Sequence, residues 1–393
     1  MLSAAMNELD AVLAFLVAAL VCFAVTPLTA RLARRVGAVD EPRDRGLAAR
    51  ATPRLGGLAI LGGVLAASAI WIPMEEQTRG ILAGAMAITL VGAIDDVWSL
   101  PPGVKLLGQV GAALIPVLSG VQVESFTFPF LHRVDLGGAA VPLTVLWIVA
   151  VVNAVNLSDG VDGLAAGVCA ISALAFAVLA FDLNRPTAAI LAAITAGAAI
   201  GFLFHNFHPA AVFMGDAGSN VLGLLMAAIA VQGTLKTNAL IALVAPLIIL
   251  AVPFLDTGFV VAKRLKHRQP IYRADMSHFH HRFTNIGFSQ RRTVVYLYGW
   301  TLTMAALAVA LRFVPYSDDA GHLNKGWAVA MIGLGALAIA ASVYLIYVLE
   351  ILKFRRVRAW QLRKRDPDTS EWEIDEAVAR DIETGGFEVV EPR

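Results

Sequence analysis

Asp95 and Asp96 stand side by side in GAIDDVWSL, where an apolar run ends, and Lys105 follows at the mouth of the next one. Adjacent residues on a helix point ~100° apart, so one carboxylate can face a metal ion or a proton while the other faces a cation. Taken alone, the pair also reads as a solvated stop signal at a membrane interface. Asn156, Asp159 and Asp162 recur every third residue in NAVNLSDGVDGLAAG, on one helical face, and Gly160, Gly163 and Gly167 leave room for a ligand or a second helix. Packing explains those glycines but not two acids facing a tight interior turn, which points to substrate binding. In HNFHPAAVFMGDAGSN, Asn206 precedes a re-entry through Pro209, and Gly215, Asp216, Gly218 and Ser219 open a helix. Backbone N–H groups at such an N-terminus favour phosphate. A carboxylate there is a cap or, beside bound phosphate, a ligand for Mg2+. His278, His280, His281 and Arg282 crowd into SHFHHRF. Zinc is one reading, but the surroundings are basic and without cysteine, so hydrogen bonding to a diphosphate and charge stabilisation during group transfer fit better.

The elements that must position these residues are apolar. The chain of 393 residues is 58% hydrophobic and 16% charged, with mean hydropathy +0.70. Uncharged stretches cover 11–30, 55–74, 80–94, 106–123, 136–158, 163–181, 186–204, 217–235, 237–255, 293–311 and 326–349. Most approach the ~18–20 residues a spanning helix needs, which predicts an all-α polytopic membrane protein of about eleven transmembrane helices. Barrel strands would alternate in runs of roughly ten residues, and these stretches do not. Glu8 and Asp10 precede the first span and Arg31, Arg34 and Arg35 follow it, which argues against a cleaved signal peptide and puts the N-terminus outside. Alternation then puts 31–54, 95–105, 156–162, 205–216, 256–292 and the C-terminus inside, where Lys and Arg concentrate, and every candidate chemical group falls on that face. VQVESFTFPFLHRVDLGG (121–138) predicts a short outer β-hairpin. Residues 1–352 are expected to form the catalytic helical domain, and 353–393 a polar cytosolic tail, disordered or loosely helical. Cys22 and Cys169 fall inside spans, so no disulfide framework is implied. A net charge of +1 is uninformative, but basic juxtamembrane segments suit an anionic lipid, and no nucleic-acid partner is expected.

In order, TPRLGGLAI, GAIDDVWSL, VKLLGQ, NAVNLSDGVDGLAAG, HNFHPAAVFMGDAGSNVLG and SHFHHRF resemble the polyprenyl-phosphate N-acetylhexosamine-1-phosphate transferases, the superfamily with the MraY- and WecA-type enzymes. The resemblance implies a multi-pass enzyme of the bacterial inner membrane with a cytoplasmic active site. Such an enzyme moves a sugar 1-phosphate from a UDP-sugar to a polyprenyl phosphate, releases UMP, and uses Mg2+ or, in its place, Mn2+. By position, Asp95 and Asp96 match the paired acids that activate the lipid phosphate or help place the metal, with Lys105 near them. Asp216 matches the metal-binding acid. Asn156, Asp159 and Asp162 match the uridine-side segment, Asn206 a polar residue close to the nucleotide, and His278, His280, His281 and Arg282 the motif near diphosphate and sugar.

One departure lies in the first inside loop, where the family commonly carries His or Lys before its PRxGG-like turn and this chain has Ala48 and Arg50. Arg50 can bind phosphate but does not titrate. The His-Phe-His-His-Arg order resembles the WecA/TagO-like branch, which uses UDP-N-acetylglucosamine in the first membrane step of a cell-envelope glycopolymer (lipopolysaccharide, teichoic acid or arabinogalactan). The alternative is a UDP-MurNAc-pentapeptide phosphotransferase. A cation-coupled transporter is the rival from another class, although its charges would sit near mid-membrane on repeated halves. Expected partners are the two substrates and membrane lipid, with a homodimer among the allowed assemblies.

Overall fold

The computed structural model describes residues 7–41, 51–128, 131–235, 240–255, 257–258, 289–314 and 324–384. The chain divides into two compact units, Met1–Phe259 with Val294–Val314, and Val260–Thr293 with Pro315–Arg393.

The first unit begins with α1 (Glu8–Val36), opened by a reciprocal Asn7–Asp10 capping box and closed by Gly37 at φ 79°. Two short strands follow, β1 (Val39–Asp40) and β2 (Thr52–Pro53), paired antiparallel. Next come α2 (Gly57–Trp71), α3 (Glu76–Trp98) and α4 (Pro102–Leu118). An antiparallel pair, β3 (Ser125–Phe128) and β4 (Leu131–Asp135), falls in the alternating segment. Helices α5 (Ala140–Ser158), α6 (Leu164–Asp182), α7 (Pro186–Asn206) and α8 (Gly215–Ala230) run on from it, and α8 continues as a π-helical turn, Val231–Leu235. Helix α9 (Leu240–Ile249) follows, and α10 (Gln290–Phe313) belongs to this unit from Val294 onward.

Among the described residues six helices are long and apolar enough to cross a membrane, namely α1, α3, α5, α6, α7 and α10; α2, α4 and the start of the helix from Lys325 are apolar but shorter. The protein is an all-α polytopic membrane protein. Helix α8 is its centre. From Ala217 to Ala230 every residue is buried, and α2, α3, α5, α6 and α7 pack around it. Its buried polar residues Ser219 and Asn220 would be costly against lipid, which favours a place inside such a ring.

Lipid gives apolar helices little reason to leave it for one another, so close backbone approach must hold the ring together. Gly197 and Gly201, one turn apart on α7, face α1, where a Cβ would fall on the carbonyl oxygens of Phe15 and Ala19. Ala18 and Cys22 of α1 lie instead against Gly63 of α2, so α1 is held closely on two sides. Pro27 interrupts the α1 hydrogen-bond ladder and leaves the Phe23 carbonyl without its usual donor. His205 Nε2 meets that carbonyl at 3.0 Å, and its ring stacks on Phe23.

The second unit departs from expectation. Helix α11 runs unbroken from Lys325 to Arg365, so the expected tail boundary at 353 falls inside a helix of 41 residues. Leu, Lys, Arg and Gln dominate its last turns, and no Gly or Pro interrupts until Pro367. Beyond it, α12 (Glu371–Thr384) is helical too. Ser370 and Glu373 form a capping box, with the Ser370 N–H donating to Glu373 Oε2 at 2.8 Å and the Glu373 N–H to Ser370 Oγ at 3.4 Å. Of the two expectations for this segment, disordered or loosely helical, the described residues are helical, with local capping and the burial of Ile374.

Replacing Gly201 by Leu should lower the thermal midpoint of the detergent-solubilised protein by several degrees, the effect of ~1–3 kcal/mol of overpacking. Gly111→Leu should leave it unchanged, because nothing lies within 4 Å of a Cβ there.

Candidate active site

The site forms where α8 begins. The chain enters α8 through Gly215 at φ 68°, a left-handed conformation natural to glycine. A Cβ at Gly215 would also fall on the Arg54 carbonyl and the Asp96 carboxylate. Before it, residues 213 and 214 zip onto the PRLGG segment: Phe213 N–H donates to the Pro53 carbonyl at 2.8 Å, Gly56 N–H to the Phe213 carbonyl at 3.1 Å and Gly57 N–H to the Met214 carbonyl at 3.0 Å. Arg54 is anchored to Asp40 at 2.7 Å. The motif TPRLGG is thus a backbone clamp on the approach to α8.

Asp96 supplies what the first turn of α8 lacks. Its Oδ1 accepts from Asp216 N–H at 2.8 Å and its Oδ2 from Ala217 N–H at 3.1 Å. A helix leaves its first amides unpaired, and a carboxylate is their strongest partner. Gly92 on α3 makes this possible, since a Cβ there would run into the backbone of Asp216 and Ala217. Asp96, expected among the metal ligands, is therefore committed to α8 as a cap from another helix.

Asp95 faces elsewhere. Its Oδ1 accepts from Leu100 N–H at 2.6 Å, and its Oδ2 lies 3.1 Å from Lys105 Nζ. The same ammonium is ion-paired to Asp216 Oδ2. Asn156 Oδ1 is 3.5 Å from Lys105 Nζ, and Asn156 Nδ2 donates to Asp216 Oδ1 at 2.5 Å and to Ser219 Oγ at 2.8 Å. Four predicted residues from α3, α4, α5 and α8 therefore meet at one point. Two carboxylates and an amide oxygen gather around one cation, Lys105, in an all-oxygen donor set of the kind that suits Mg2+ or Mn2+. Asp216 and Asp95 are the residues that would hold such an ion.

The turn between α5 and α6 forms the second part. Asp159 follows the last turn of α5, and its carboxyl is held well above the usual carboxylate range. Removal from water is the main cause, with the like charges of Asp216, Asp96 and Asp162 adding to it and Arg54 opposing. Asp162 Oδ2 accepts from Ala210 N–H at 3.1 Å and meets His208 Nδ1 at 2.8 Å. Asn206 is 2% exposed. Its Oδ1 accepts from Gly163 N–H at 2.9 Å and its Nδ2 donates to the Val212 carbonyl at 3.0 Å, a positioning task that ties this turn to the approach to α8. Tyr298 OH donates to the Gly163 carbonyl at 2.5 Å from α10.

Arg50, His278, His280, His281 and Arg282 lie outside the described residues. The sequence assigned no role to His208, Tyr298 or the Asp40–Arg54 pair. For His208 a signal existed in HNFHP; the partner of Tyr298 is 135 residues away, and Arg54 meets Asp40 beside the β1–β2 pairing.

Comparison with known proteins supplies the family. Glycosyl transferase family 4 matches residues 78–234, the segment from α3 through α8. A probable undecaprenyl-phosphate N-acetylglucosaminyl 1-phosphate transferase of Bacillus subtilis is 41% identical over 304 residues, 76% of this chain and 84% of that one. A decaprenyl-phosphate N-acetylglucosaminephosphotransferase of Mycobacterium tuberculosis is 34% identical over 365 residues, 85% of this chain and 88% of that one. A phospho-N-acetylmuramoyl-pentapeptide-transferase of Desulforudis audaxviator is 33% identical over 327 residues, 76% of this chain and 95% of that one. With near full-length likeness and the motif residues meeting at one helix start, the chain belongs to the polyprenyl-phosphate N-acetylhexosamine-1-phosphate transferases, on the WecA-like branch.

Proposed function

We infer that this protein transfers N-acetylglucosamine 1-phosphate from UDP-N-acetylglucosamine to a polyprenyl phosphate and releases UMP. The meeting of Lys105, Asp95, Asn156 and Asp216 at the start of α8 carries the reading. The name of the Bacillus subtilis relative supports the sugar and the lipid. Around this chemistry we read about eleven spanning helices, the N-terminus outside, the C-terminus inside, the β3–β4 pair at the outer face and the site at the cytoplasmic face of the inner membrane.

In the reaction, an oxygen of the lipid phosphate attacks the phosphorus that carries the sugar. The bond from that phosphorus to the oxygen bridging the two phosphates breaks, and UMP leaves with the electron pair. Two polyanions must come together, so neutralisation and alignment dominate the barrier. Bound Mg2+ supplies charge neutralisation at the diphosphate. Lys105 is the protein's own cation at that point, exchanging Asp216 for phosphate oxygens. Asp95, fixed by Leu100 N–H, orients the attacking phosphate and takes its last proton. That proton is a minor demand, because the second pKa of an alkyl phosphate lies near ~6. Asp159, whose carboxyl burial holds well above the usual carboxylate range, faces the uridine side. Asp162 with His208 shapes the same side, while Arg50 and the segment with His278, His280, His281 and Arg282 serve the diphosphate and sugar. Transport is disfavoured, since the acids stand at helix ends.

Purified protein with UDP-N-acetylglucosamine and polyprenyl phosphate should release UMP in the presence of Mg2+. Release only with UDP-MurNAc-pentapeptide would replace the sugar assignment with the alternative one. Asp216→Asn and Lys105→Gln should each lower kcat at least about a hundredfold, the effect of removing one preorganised charge. Wild-type rates in Asp216→Asn would rule out the metal assignment.

Asp159 adds a pH test. Its proton is held more tightly folded than unfolded, so its contribution to stability is full below the ordinary Asp range and is lost as pH rises through the raised value. The midpoint of Asp159→Asn should therefore exceed that of the parent by a margin that grows with pH. A margin independent of pH would show Asp159 to be ionised throughout.

A further inference from the structure

Beneath the cluster around Lys105 lies a second polar layer that the reaction does not use. Gln109 stands four residues after Lys105 on α4, Asn153 three before Asn156 on α5, and Asn220 four after Asp216 on α8. At those spacings each shares a face with its active-site neighbour, one turn deeper into the bilayer. Gln109 is the hub. Its Oε1 accepts from Asn153 Nδ2 at 2.8 Å, and its Nε2 donates to Asn220 Oδ1 at 3.4 Å. Gln109 is 1% exposed and Asn220 is fully buried, with its Nδ2 lacking a hydrogen-bond partner among the described residues.

Packing alone does not call for amides here. Apolar side chains of similar volume would fill the space without an unmet donor. What amides supply, and Leu cannot, is a directional link that fixes how one helix is turned and raised against another. Gly223 of α8 packs closely on the Val152 backbone of α5 and Asn156 ties α5 to Asp216 and Ser219, whereas α4 meets that pair through Gln109.

We propose that Gln109, Asn153 and Asn220 are positioning residues that lock α4 against α5 and α8, so that Lys105 reaches Asp95 and Asp216 together. The proposal rests on the phosphotransferase reading for its kinetic consequence but not for its structural one. Both are tested in full-length protein, with UMP release for kinetics and hydrogen–deuterium exchange for structure.

Asn220→Leu should keep or raise the thermal midpoint, since it removes the unpaired donor, yet lower kcat about tenfold with KM for UDP-N-acetylglucosamine changed less than about twofold. A residue that only packs would move stability and kcat in the same direction. Gln109→Met should lower kcat similarly, and in a Lys105→Gln background should cost nothing further, because its effect passes through Lys105. Exchange in Gln109→Met should quicken in peptides covering 102–108 and 214–220 while α6 and α7 stay as in the parent. Unchanged exchange at those two helix ends, or additive losses in the double variant, would overturn the proposal. Faster exchange there in a protein that releases no UMP would sustain the positioning layer and refute the assigned reaction.

Discussion

Two amide protons at the start of α8 are bound by one carboxylate from another helix, and the site is built on that contact. Asp96 holds the N–H groups of Asp216 and Ala217. The first amides of a buried helix cannot turn to water, and leaving one unpaired costs about 1–3 kcal/mol. A charged acceptor on the positive end of the helix dipole answers that need and fixes α3 against α8. Because Asp216 is the very residue whose amide is held, its side chain is delivered to one place, and Asp95, the next residue back on α3, is delivered beside it.

The remaining features keep that contact geometrically possible. Glycines at 57, 92 and 215 let α2, α3 and the backbone of Arg54 close on the start of α8 without side chains between them. The clamp from Pro53 to Gly57 holds the approach. Lys105 then balances Asp95 and Asp216, so a concentration of acids at a helix end becomes tolerable. The same balance suits function, since a cation held by two carboxylates has somewhere to go when phosphate arrives.

Much of this was legible in the sequence, and what was not has physical reasons. Apolar runs showed an all-α polytopic membrane protein. Asp216 was recognisable because Gly, Asp and Ser at a helix start have a local meaning. Asp96 was not separable from Asp95, since its partners are 120 and 121 residues away. Asn206 suggested ligand contact, whereas its amide bridges two loops, a role visible only once those loops meet. For the acidic C-terminal segment composition left disorder and loose helix both open, because it averages over position; Ser370 and Glu373 at capping spacing start a helix. Local signals carried elements and faces; pairings across the chain carried the division of labour.

Lys105 is paired with Asp95 and Asp216, and the proposed reaction requires it to pass onto phosphate oxygens. The direct measurement is an experimental structure of the protein with Mg2+ and UDP-N-acetylglucosamine bound. It should show the Lys105 ammonium on diphosphate oxygens, the metal on Asp216, and Asp96 still on the two α8 amides. Diphosphate bound away from α8, with the Lys105–Asp216 pair intact, would contradict the account.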